Sequence, residues 1–316
     1  MMFFNLLQSP GGVIGLGFHN KRFKYLIRLS GFLLISIGLS SCLMTRSRPT
    51  RISAVQPTPE LLPQYQVHSL PHSTVYTLKI PAQGKYQVTV VSSAQLMTVS
   101  DFAKKYSAIA AMNAGFFDAQ NQKTTAYITE QGKLTGDPKQ NERLIENPKL
   151  TPYLPQIFNR SELRRYQCGN LTRYAITVHN APIPRDCQLM DAIGGGPRLL
   201  PDMTATEEGF WQVTQGKVVR DAIGFKQRNA RTAIGITASG DLLWVMAAQR
   251  PDAPKNSGLS LPELADFMRS QGVEEALNLD GGSSSGMYYD GKMVFGKVTE
   301  KGEPVVRSVK SVLLLR

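Results

Sequence analysis

Four short segments join a run of apolar residues to glycine and polar residues, and they constrain the fold more than any other feature of the chain. They lie at residues 110–118 (AAMNAGFFD), 191–200 (DAIGGGPRLL), 231–236 (RTAIGI) and 277–286 (LNLDGGSSSG). Each pattern predicts a buried strand next to a tight loop, because glycine lets the backbone turn sharply and approach other groups closely. The alternative is that each segment is only a glycine-rich turn with a capping Asp or Asn.

Strand patterns dominate the region that follows the N-terminus. Strands are predicted at residues 74–80, 86–92, 108–112, 124–129, 174–178, 233–237, 242–247, 276–279, 287–289, 292–295 and 311–315. Helices are predicted at 98–106, with Thr98 as N-cap, and at 260–271, where Ser260 and Glu263 form a capping box. Residues 136–190 carry six prolines, which predict irregular structure except for the strand at 174–178. The expected fold class is α+β: a single strand-rich domain with a mixed sheet and a few helices.

Half of the chain's net positive charge comes from residues 1–60, which precede this strand-rich region. The net charge is +12, and residues 1–60 hold seven basic residues against one acidic residue. Nucleic-acid binding needs basic residues clustered on one folded surface. We therefore expect no nucleic-acid partner.

The N-terminus has the order of an export signal. A basic cluster at 21–24 precedes an apolar run at 29–39, and Cys42 ends the following sequence LSSC, which resembles a bacterial lipobox. The apolar run is shorter than the roughly 20 residues of a spanning helix. We therefore expect an export signal over 1–42, with Cys42 lipidated and the protein exported and membrane-anchored. An uncleaved anchor at 25–44 is the alternative.

The remaining features of organisation follow from export. Residues 43–67 are proline-rich and predict an extended tether, which leaves a folded domain at 68–316. Cys168 and Cys187 are the two cysteines that follow Cys42. In an oxidising compartment they are candidates for a disulfide, and two buried thiols are the alternative.

Three familiar kinds of active site are excluded. The sequence GSSSG at 282–286 fits the nucleophile elbow, but no histidine follows it, and that fold needs one. The sequence GMYYDGK has the spacing of a P-loop, but Met293 stands where a magnesium-binding Ser or Thr is required. The four histidines of the chain are too few for a dinuclear metal phosphodiesterase.

The motifs MNAGFFD (112–118), GGGPRLL (194–200), RTAIGI (231–236) and NLDGGSSSG (278–286) together resemble the phosphodiester glycosidase domain family. The resemblance covers residues 75–316. It implies hydrolysis of a sugar-1-phosphodiester at the cell envelope, with α-linked N-acetylglucosamine as a candidate sugar. The sequence departs from the family pattern before RTAIGI, where Arg-Asn-Ala stands in place of a frequent histidine, and at Ala114, where glycine is common.

The resemblance also implies where the chemistry lies. Cleavage of the sugar–oxygen bond releases a phosphate monoester, a good leaving group because its second pKa is about 6. The reaction needs positive charge around that phosphate and a carboxylate near the anomeric carbon. We expect Asp280 to act as base or nucleophile, with Asp118 as the second candidate and Asn113 orienting a sugar hydroxyl. Forked arginine donors and backbone amides suit phosphate, so the expected substrate-binding residues are Gly195, Gly196, Arg198, Arg231, Thr232, Asn278, Gly281, Gly282, Ser283 and Ser284.

Two hypotheses from other classes stay open at this point. A non-catalytic envelope lipoprotein that binds anionic glycans is compatible with the same fold, because one fold serves many functions. Convergence of Asp280, Arg198 and Arg231 in one pocket favours catalysis instead. No cofactor is expected, although oxygens of Asp118 and Asp280 together would suit calcium. The expected partners are a sugar-phosphate or glycopolymer substrate and the membrane.

Overall fold

The computed structural model describes residues 61–316. The predicted export signal, Cys42 and residues 43–60 of the predicted tether therefore lie outside the described residues. Within the described range, no helix has both the length and the apolar character needed to cross a membrane.

Strands form most of the regular structure. In chain order they are β1 (Gln64–Leu70), β2 (Ser73–Ile80), β3 (Val88–Met97), β4 (Ala110–Asn113), β5 (Ile128–Glu130), β6 (Lys133–Gly136), β7 (Ser161–Cys168), β8 (Leu171–Val178), β9 (Cys187–Gly194), β10 (Arg198–Leu200), β11 (Trp211–Thr214), β12 (Lys217–Asp221), β13 (Arg231–Thr237), β14 (Leu242–Ala248), β15 (Val273–Asn278), β16 (Gly286–Tyr289), β17 (Lys292–Phe295) and β18 (Val309–Leu315). The α-helices are α1 (Val99–Lys105), α2 (Glu142–Ile145), α3 (Leu154–Ile157) and α4 (Leu261–Ser270). Single 3₁₀ turns lie at Pro138–Gln140, Thr151–Tyr153 and Gly282–Ser284.

The strands form three larger sheets and one separate hairpin. The six-stranded sheet has the order β1-β2-β14-β13-β15-β10. The two five-stranded sheets have the orders β17-β16-β4-β18-β3 and β6-β5-β9-β7-β8, and β11 pairs with β12 alone. The prediction of a strand-rich domain with few helices is therefore confirmed at this coarse level.

The prediction of a mixed sheet is wrong. Every hydrogen-bonded pair of these strands within residues 61–316 is antiparallel. Helix α4 connects β14 to β15, and such a crossover ordinarily joins neighbouring parallel strands. Here β13 lies between those two strands and is antiparallel to both, so the helix produces no parallel pair.

One central core joins the three sheets. Trp244 of β14, Ile193 of β9 and Leu313 of β18 come from different sheets, are fully buried and belong to the same apolar cluster. The helices cover other faces: Leu264 and Met268 of α4 pack in a cluster with residues of β13 and β14, and α1 packs in a third cluster with β4 and β18. Both helices begin as predicted. Thr98 caps α1, and Ser260 and Glu263 form the capping box of α4.

The region 136–190 is more regular than predicted, because it contains the buried strand β7 and the two short helices α2 and α3. The strand was missed because its sequence, SELRRYQC, is rich in charge. In the structure Glu162 pairs with Arg164 at 2.6 Å, and Arg165 pairs with Asp191 of β9 at 2.7 Å. These buried charges compensate one another, so burial does not require apolar residues.

The predicted domain boundary is also displaced. Strand β1 begins at Gln64 and pairs with β2 along its whole length, so the folded domain begins before residue 68. The strand lies at the edge of its sheet, and most of its side chains are exposed or half-buried. A polar edge strand of this kind resembles a linker in sequence.

Cys168 and Cys187 form a disulfide, which confirms the predicted pair. They are directly opposite each other on β7 and β9. Their sequence separation is 19 residues, and the loop that they close contains the whole of β8.

We predict that replacing both cysteines with serine destabilises the domain without changing its fold. A loop of this length restricts the unfolded chain by about 3 kcal/mol in the chain-entropy model. Urea denaturation of the Cys168→Ser/Cys187→Ser variant measures the loss, and Cys42→Ser, which removes the third cysteine of the chain, is the control. Equal free energies of unfolding for the double variant and the unsubstituted protein would contradict the prediction.

Candidate active site

A cleft of about 270 Å³ lies where β15 ends. Of the predicted site residues, its lining includes Asp280, Arg231, Asn278, Gly281 and Gly282. The other lining residues are Phe116, Ala222, Ile223, Gly224, Gln227, Asn229 and Leu279. Residues from three of the four glycine-rich motifs thus line one cleft.

The backbone around Asp280 is held by the two neighbouring motifs. The amide of Leu279 donates to the Thr232 carbonyl at 2.8 Å, and the amide of Asp280 donates to the Ala114 carbonyl at 2.9 Å. The side-chain amide of Asn113 donates to the Asp280 carbonyl at 2.5 Å. Asp280 therefore has a fixed position just beyond the end of its strand.

The environment of the Asp280 carboxyl is unusual for an aspartate. Burial raises the pKa of Asp280 to about 6, and the Ser284 hydroxyl, the Arg307 guanidinium and the Gly281 amide oppose this shift. Asp280 is also the one carboxylate among the residues that line this cleft in the described part of the chain. A carboxyl group with a pKa near neutrality in a cleft is typical of acid–base or nucleophilic catalysis.

The side chains of Asn113 and Thr232 are buried and form hydrogen bonds with other protein groups. Both are fully buried, and the Thr232 hydroxyl donates to Asn113 Oδ1 at 2.9 Å. The amide of Gly286 donates to the same oxygen at 3.0 Å. Because the Asn113 side chain already bonds through both its nitrogen and its oxygen, the geometry favours a role in holding the Asp280 loop over the predicted contact with a sugar hydroxyl.

The glycine-serine loop also uses its amides internally. The amide of Gly282 donates to the Ala230 carbonyl at 2.8 Å, and those of Ser284 and Ser285 donate to the Gly281 and Gly282 carbonyls at 3.2 Å. Gly281 donates its amide to Asp280. The predicted cradle of free amides for phosphate is therefore not what this loop presents. Its hydrogen bonds position Asp280 and fix the turn.

Gly195 and Gly196 allow close packing, and they are not among the residues lining the cleft. A Cβ atom on Gly195 would lie 2.6 Å from the Asn278 carbonyl oxygen, and Gly196 has a φ of +114°. The Gly196 amide donates to the Asn278 carbonyl at 2.8 Å, and Asn278 Nδ2 donates to the Gly196 carbonyl at 2.8 Å. This leaves Asn278 Oδ1 buried without a hydrogen-bond partner within residues 61–316. That oxygen is a buried, unpaired acceptor on a residue that lines the cleft.

Arg231 uses most of its hydrogen-bond donors in bonds to backbone carbonyls of the protein. Its guanidinium donates to the carbonyls of Leu259, Ile223, Gly224 and Gln227 at 2.6–3.0 Å. Burial lowers the pKa of Arg231 to about 10, against an opposing effect of Asp221. Three of these carbonyls belong to the segment 222–227 that forms one wall of the cleft. The contacts favour a role in shaping this wall over the predicted grip on phosphate.

Arg198 does not converge with the other two predicted residues. It lines two different clefts, one with Arg269 and Glu275 and one with Glu208. Its Nε atom is buried and lacks a hydrogen-bond partner within the described residues. The expected meeting of Asp280, Arg198 and Arg231 is thus found only for Asp280 and Arg231.

The Asp118 carboxylate is likewise bound to other protein groups, away from the cleft. Its carboxylate accepts from Arg143 Nε at 2.7 Å and from the Gln120 amide at 2.8 Å. Although burial raises the pKa of Asp118, the Gln120 amide and Arg143 together bring it below its ordinary value. Asp118 is not among the residues lining the cleft, so its placement does not support calcium shared with Asp280. In residues 61–316, no group of three or more His, Cys, Asp or Glu is arranged to hold a metal ion.

Sequence patterns missed several groups around Asp280. Arg307, just before β18, donates from Nη1 to Ser283 Oγ at 2.7 Å and lies with its Cζ 5.4 Å from the centre of the Phe117 ring. Asn229 lines the cleft, and its Oδ1 accepts from Lys297 Nζ at 3.2 Å. Asn229 lies in the Arg-Asn-Ala segment before RTAIGI, where the sequence departs from the family pattern, and that departure was a usable signal. Arg307 lies in no motif, and only the fold brings it to this site.

The family model for phosphodiester glycosidase matches residues 106–316. The chain therefore belongs to the phosphodiester glycosidase family, which its four motifs predicted. No curated protein matches the chain.

Solved structures share the fold at low sequence identity. The catalytic domain of zebrafish N-acetylglucosamine-1-phosphodiester alpha-N-acetylglucosaminidase, auto-inhibited by its pro-peptide, has a TM-score of 0.60 and 17% identity over 82% of this chain and 84% of that chain. A putative exported protein from Burkholderia pseudomallei has a TM-score of 0.56 and 17% identity over 77% and 74%. A hypothetical protein from Synechocystis has a TM-score of 0.52 and 16% identity over 80% and 61%.

We predict that Arg231→Lys destabilises the domain and loosens the wall of the cleft. Lysine cannot reproduce the forked contacts of arginine, and each buried carbonyl left unpaired costs about 1–3 kcal/mol. The free energy of unfolding should fall, and amides 223–227 should exchange faster with deuterium. Arg198→Lys is a matched control, since the side chain of Arg198 makes no comparable set of bonds. Unchanged stability with lost substrate binding would instead identify Arg231 as a ligand of phosphate.

Proposed function

We propose that this protein hydrolyses a sugar-1-phosphodiester by cleaving the bond between the anomeric carbon and the phosphate oxygen. The observation that carries the proposal is Asp280, the one carboxyl group among the described residues that line the cleft. Its pKa is raised to about 6, and it interacts electrostatically with the Arg307 guanidinium. Membership of the phosphodiester glycosidase family supports it. The zebrafish relative is, by its name, a glycosidase acting on N-acetylglucosamine-1-phosphodiester.

One carboxylate is sufficient for this reaction. Ordinary glycosidases need two, because one must protonate a poor leaving group while the other attacks or activates water. A phosphate monoester leaves without full protonation, since its second pKa is about 6. Asp280 acts either as the base that takes a proton from the attacking water or as the nucleophile that forms a glycosyl ester. In both cases the electron pair of the broken bond leaves with the phosphate.

Arg307 is suited to the leaving phosphate. Its guanidinium is half-buried and donates to the Ser283 hydroxyl, and no described carboxylate forms an ion pair with it. Its positive charge lowers the pKa of Asp280, so the two groups interact electrostatically. A fixed guanidinium stabilises the negative charge that develops on phosphate as the bond breaks. In this proposal Arg307 takes the role that the sequence assigned to Arg198 and Arg231.

The cleft walls fit a single sugar ring. The volume of about 270 Å³ is just below the ordinary range of sites for drug-sized ligands. Phe116 contributes an aromatic residue to the lining, and Asn278 contributes a carboxamide whose buried Oδ1 has no hydrogen-bond partner within the described residues. Asn229 adds a side-chain amide near Gly282. Its Nδ2 lies 3.8 Å from the point that a Cβ atom would occupy if Gly282 had a side chain. N-acetylglucosamine is therefore the first substrate to test.

We place the reaction outside the cytoplasm. The Cys168–Cys187 disulfide favours an oxidising compartment. One protein of the same fold carries the description of an exported protein. Lipidation at Cys42 remains part of the proposal, with the cell envelope as the place of action and an envelope glycopolymer or nucleotide sugar as the source of the phosphodiester.

We predict that Asp280→Asn abolishes release of free sugar from an N-acetylglucosamine-1-phosphodiester. Loss of a general base costs about 10²- to 10⁴-fold in rate. In the unsubstituted protein kcat/KM should rise as the pH passes 6, because the ionised carboxylate is the active form and its pKa is about 6. Chromatographic identification of the products separates sugar release from phosphate release.

Asp118→Asn is the matched control for this prediction. It removes a carboxylate that is paired with Arg143 outside the cleft, so activity should persist. Full activity of Asp280→Asn would remove Asp280 from the mechanism. Binding of the phosphodiester without any turnover in the unsubstituted protein would support a non-catalytic glycan-binding protein instead.

We predict two effects of Arg307→Gln. The rate should fall about 10²- to 10³-fold, as when a donor that stabilises transition-state charge is removed. The acidic limb of the pH profile should also move to higher pH, because Arg307 lowers the pKa of Asp280. Arg316→Gln removes a surface arginine and is the control. A lower rate with an unmoved pH profile would show that Arg307 does not act beside Asp280.

A further inference from the structure

A second cleft of about 640 Å³ adjoins the candidate active site, and Gln227 lines both clefts. It lies against the first turn of α4. Its lining residues are Lys226, Gln227, Arg228, Lys255, Asn256, Ser260 and Glu263. Three of these seven side chains are basic and one is acidic, so a negatively charged ligand suits this surface better than a neutral one.

One of the three basic residues is part of the scaffold. Arg228 binds Glu263 through two nitrogens, at 2.9 Å from Nε and 2.6 Å from Nη2. Glu263 in turn accepts from the amide and hydroxyl of Ser260 in the capping box of α4. Arg228 and Glu263 neutralise each other and fix the wall of the cleft, so they supply little attraction for a ligand.

The other two basic residues, Lys226 and Lys255, are not strongly neutralised by a carboxylate and can attract an anionic ligand. Lys255 Nζ lies 3.1 Å from Glu300, but both side chains are largely exposed, at 73% and 81%, and such a pair is weak. Lys226 Nζ lies 5.8 Å from the centre of the Trp211 ring and has no ion pair within residues 61–316. Nearby, Lys297 donates to Asn229 and likewise has no carboxylate partner in the described chain.

We infer that this second cleft binds a further phosphate of the substrate, so that the natural substrate is a polymer with repeated sugar phosphodiesters. The inference rests on the proposed function. A sugar phosphodiester in the first cleft has a group attached beyond its phosphate, and the second cleft, which shares Gln227 with the first, is next to it. A neutral attached group would gain nothing from Lys226 and Lys255, whereas a phosphate one repeat away gains from both.

The test compares two substrates with the full chain. One is the methyl phosphodiester of N-acetylglucosamine, and the other is an oligomer of repeated sugar phosphodiesters. In Lys226→Gln/Lys255→Gln, KM for the oligomer should rise about fivefold, the effect of two weak ion pairs, with kcat and the methyl substrate unaffected. The control is Lys133→Gln/Lys217→Gln, which removes two exposed lysines away from both clefts.

A binding measurement separates this inference from the proposed function. Calorimetry with the oligomer and the non-hydrolysing Asp280→Asn protein reports affinity without turnover. About fivefold weaker binding when the Lys226 and Lys255 substitutions are added, and no change with the control pair, supports the second subsite. Equal binding in both double variants overturns it. If neither substrate is hydrolysed by the unsubstituted protein, the proposed function fails, and the binding result still decides the subsite.

Discussion

One buried side-chain amide organises the candidate site. Asn113 donates to the carbonyl of Asp280 and accepts from the Thr232 hydroxyl and the Gly286 amide. It thereby joins β4, β13 and the loop between β15 and β16. A buried polar group that is fully paired is costly to disrupt. The position of Asp280 is therefore set by the protein before any ligand arrives, which is the condition for a preorganised catalytic group.

The glycine-rich motifs contribute mainly to the packing that positions Asp280, and less to direct contacts with a ligand. Gly195 packs against the Asn278 carbonyl, and Gly281 lies close to the Ala230 carbonyl, where side chains would clash. Most backbone amides of the serine-rich loop are used within the loop or on its neighbours. The motifs thus bring strands into close contact, and Asp280, Asn278 and Asn229 are among the polar residues that line the cleft.

Local signals in the sequence predicted local structure well. The capping box of α4, the strands β16 and β17 and the disulfide were all visible, because each depends on residues close in sequence or on rare residue types. Strand β7 was missed because its charges are neutralised by partners that only the fold supplies. Arg307 was missed because it lies in no motif and only the fold brings it near Asp280. Arg198 and Arg231 were assigned to phosphate because a sequence does not show which acceptors the donors of a guanidinium reach.

The position of Arg307 and β18 in the chain affects how this protein reaches its folded state. β18 pairs with both β3 and β4, and the Ser311 hydroxyl accepts from the Gly115 amide across 196 residues of sequence. The sheet beside the candidate site cannot close until residues 307–315 have been synthesised. Folding dominated by such distant pairings is slow. The cleft around Asp280 therefore forms late, after nearly the whole described domain has been made.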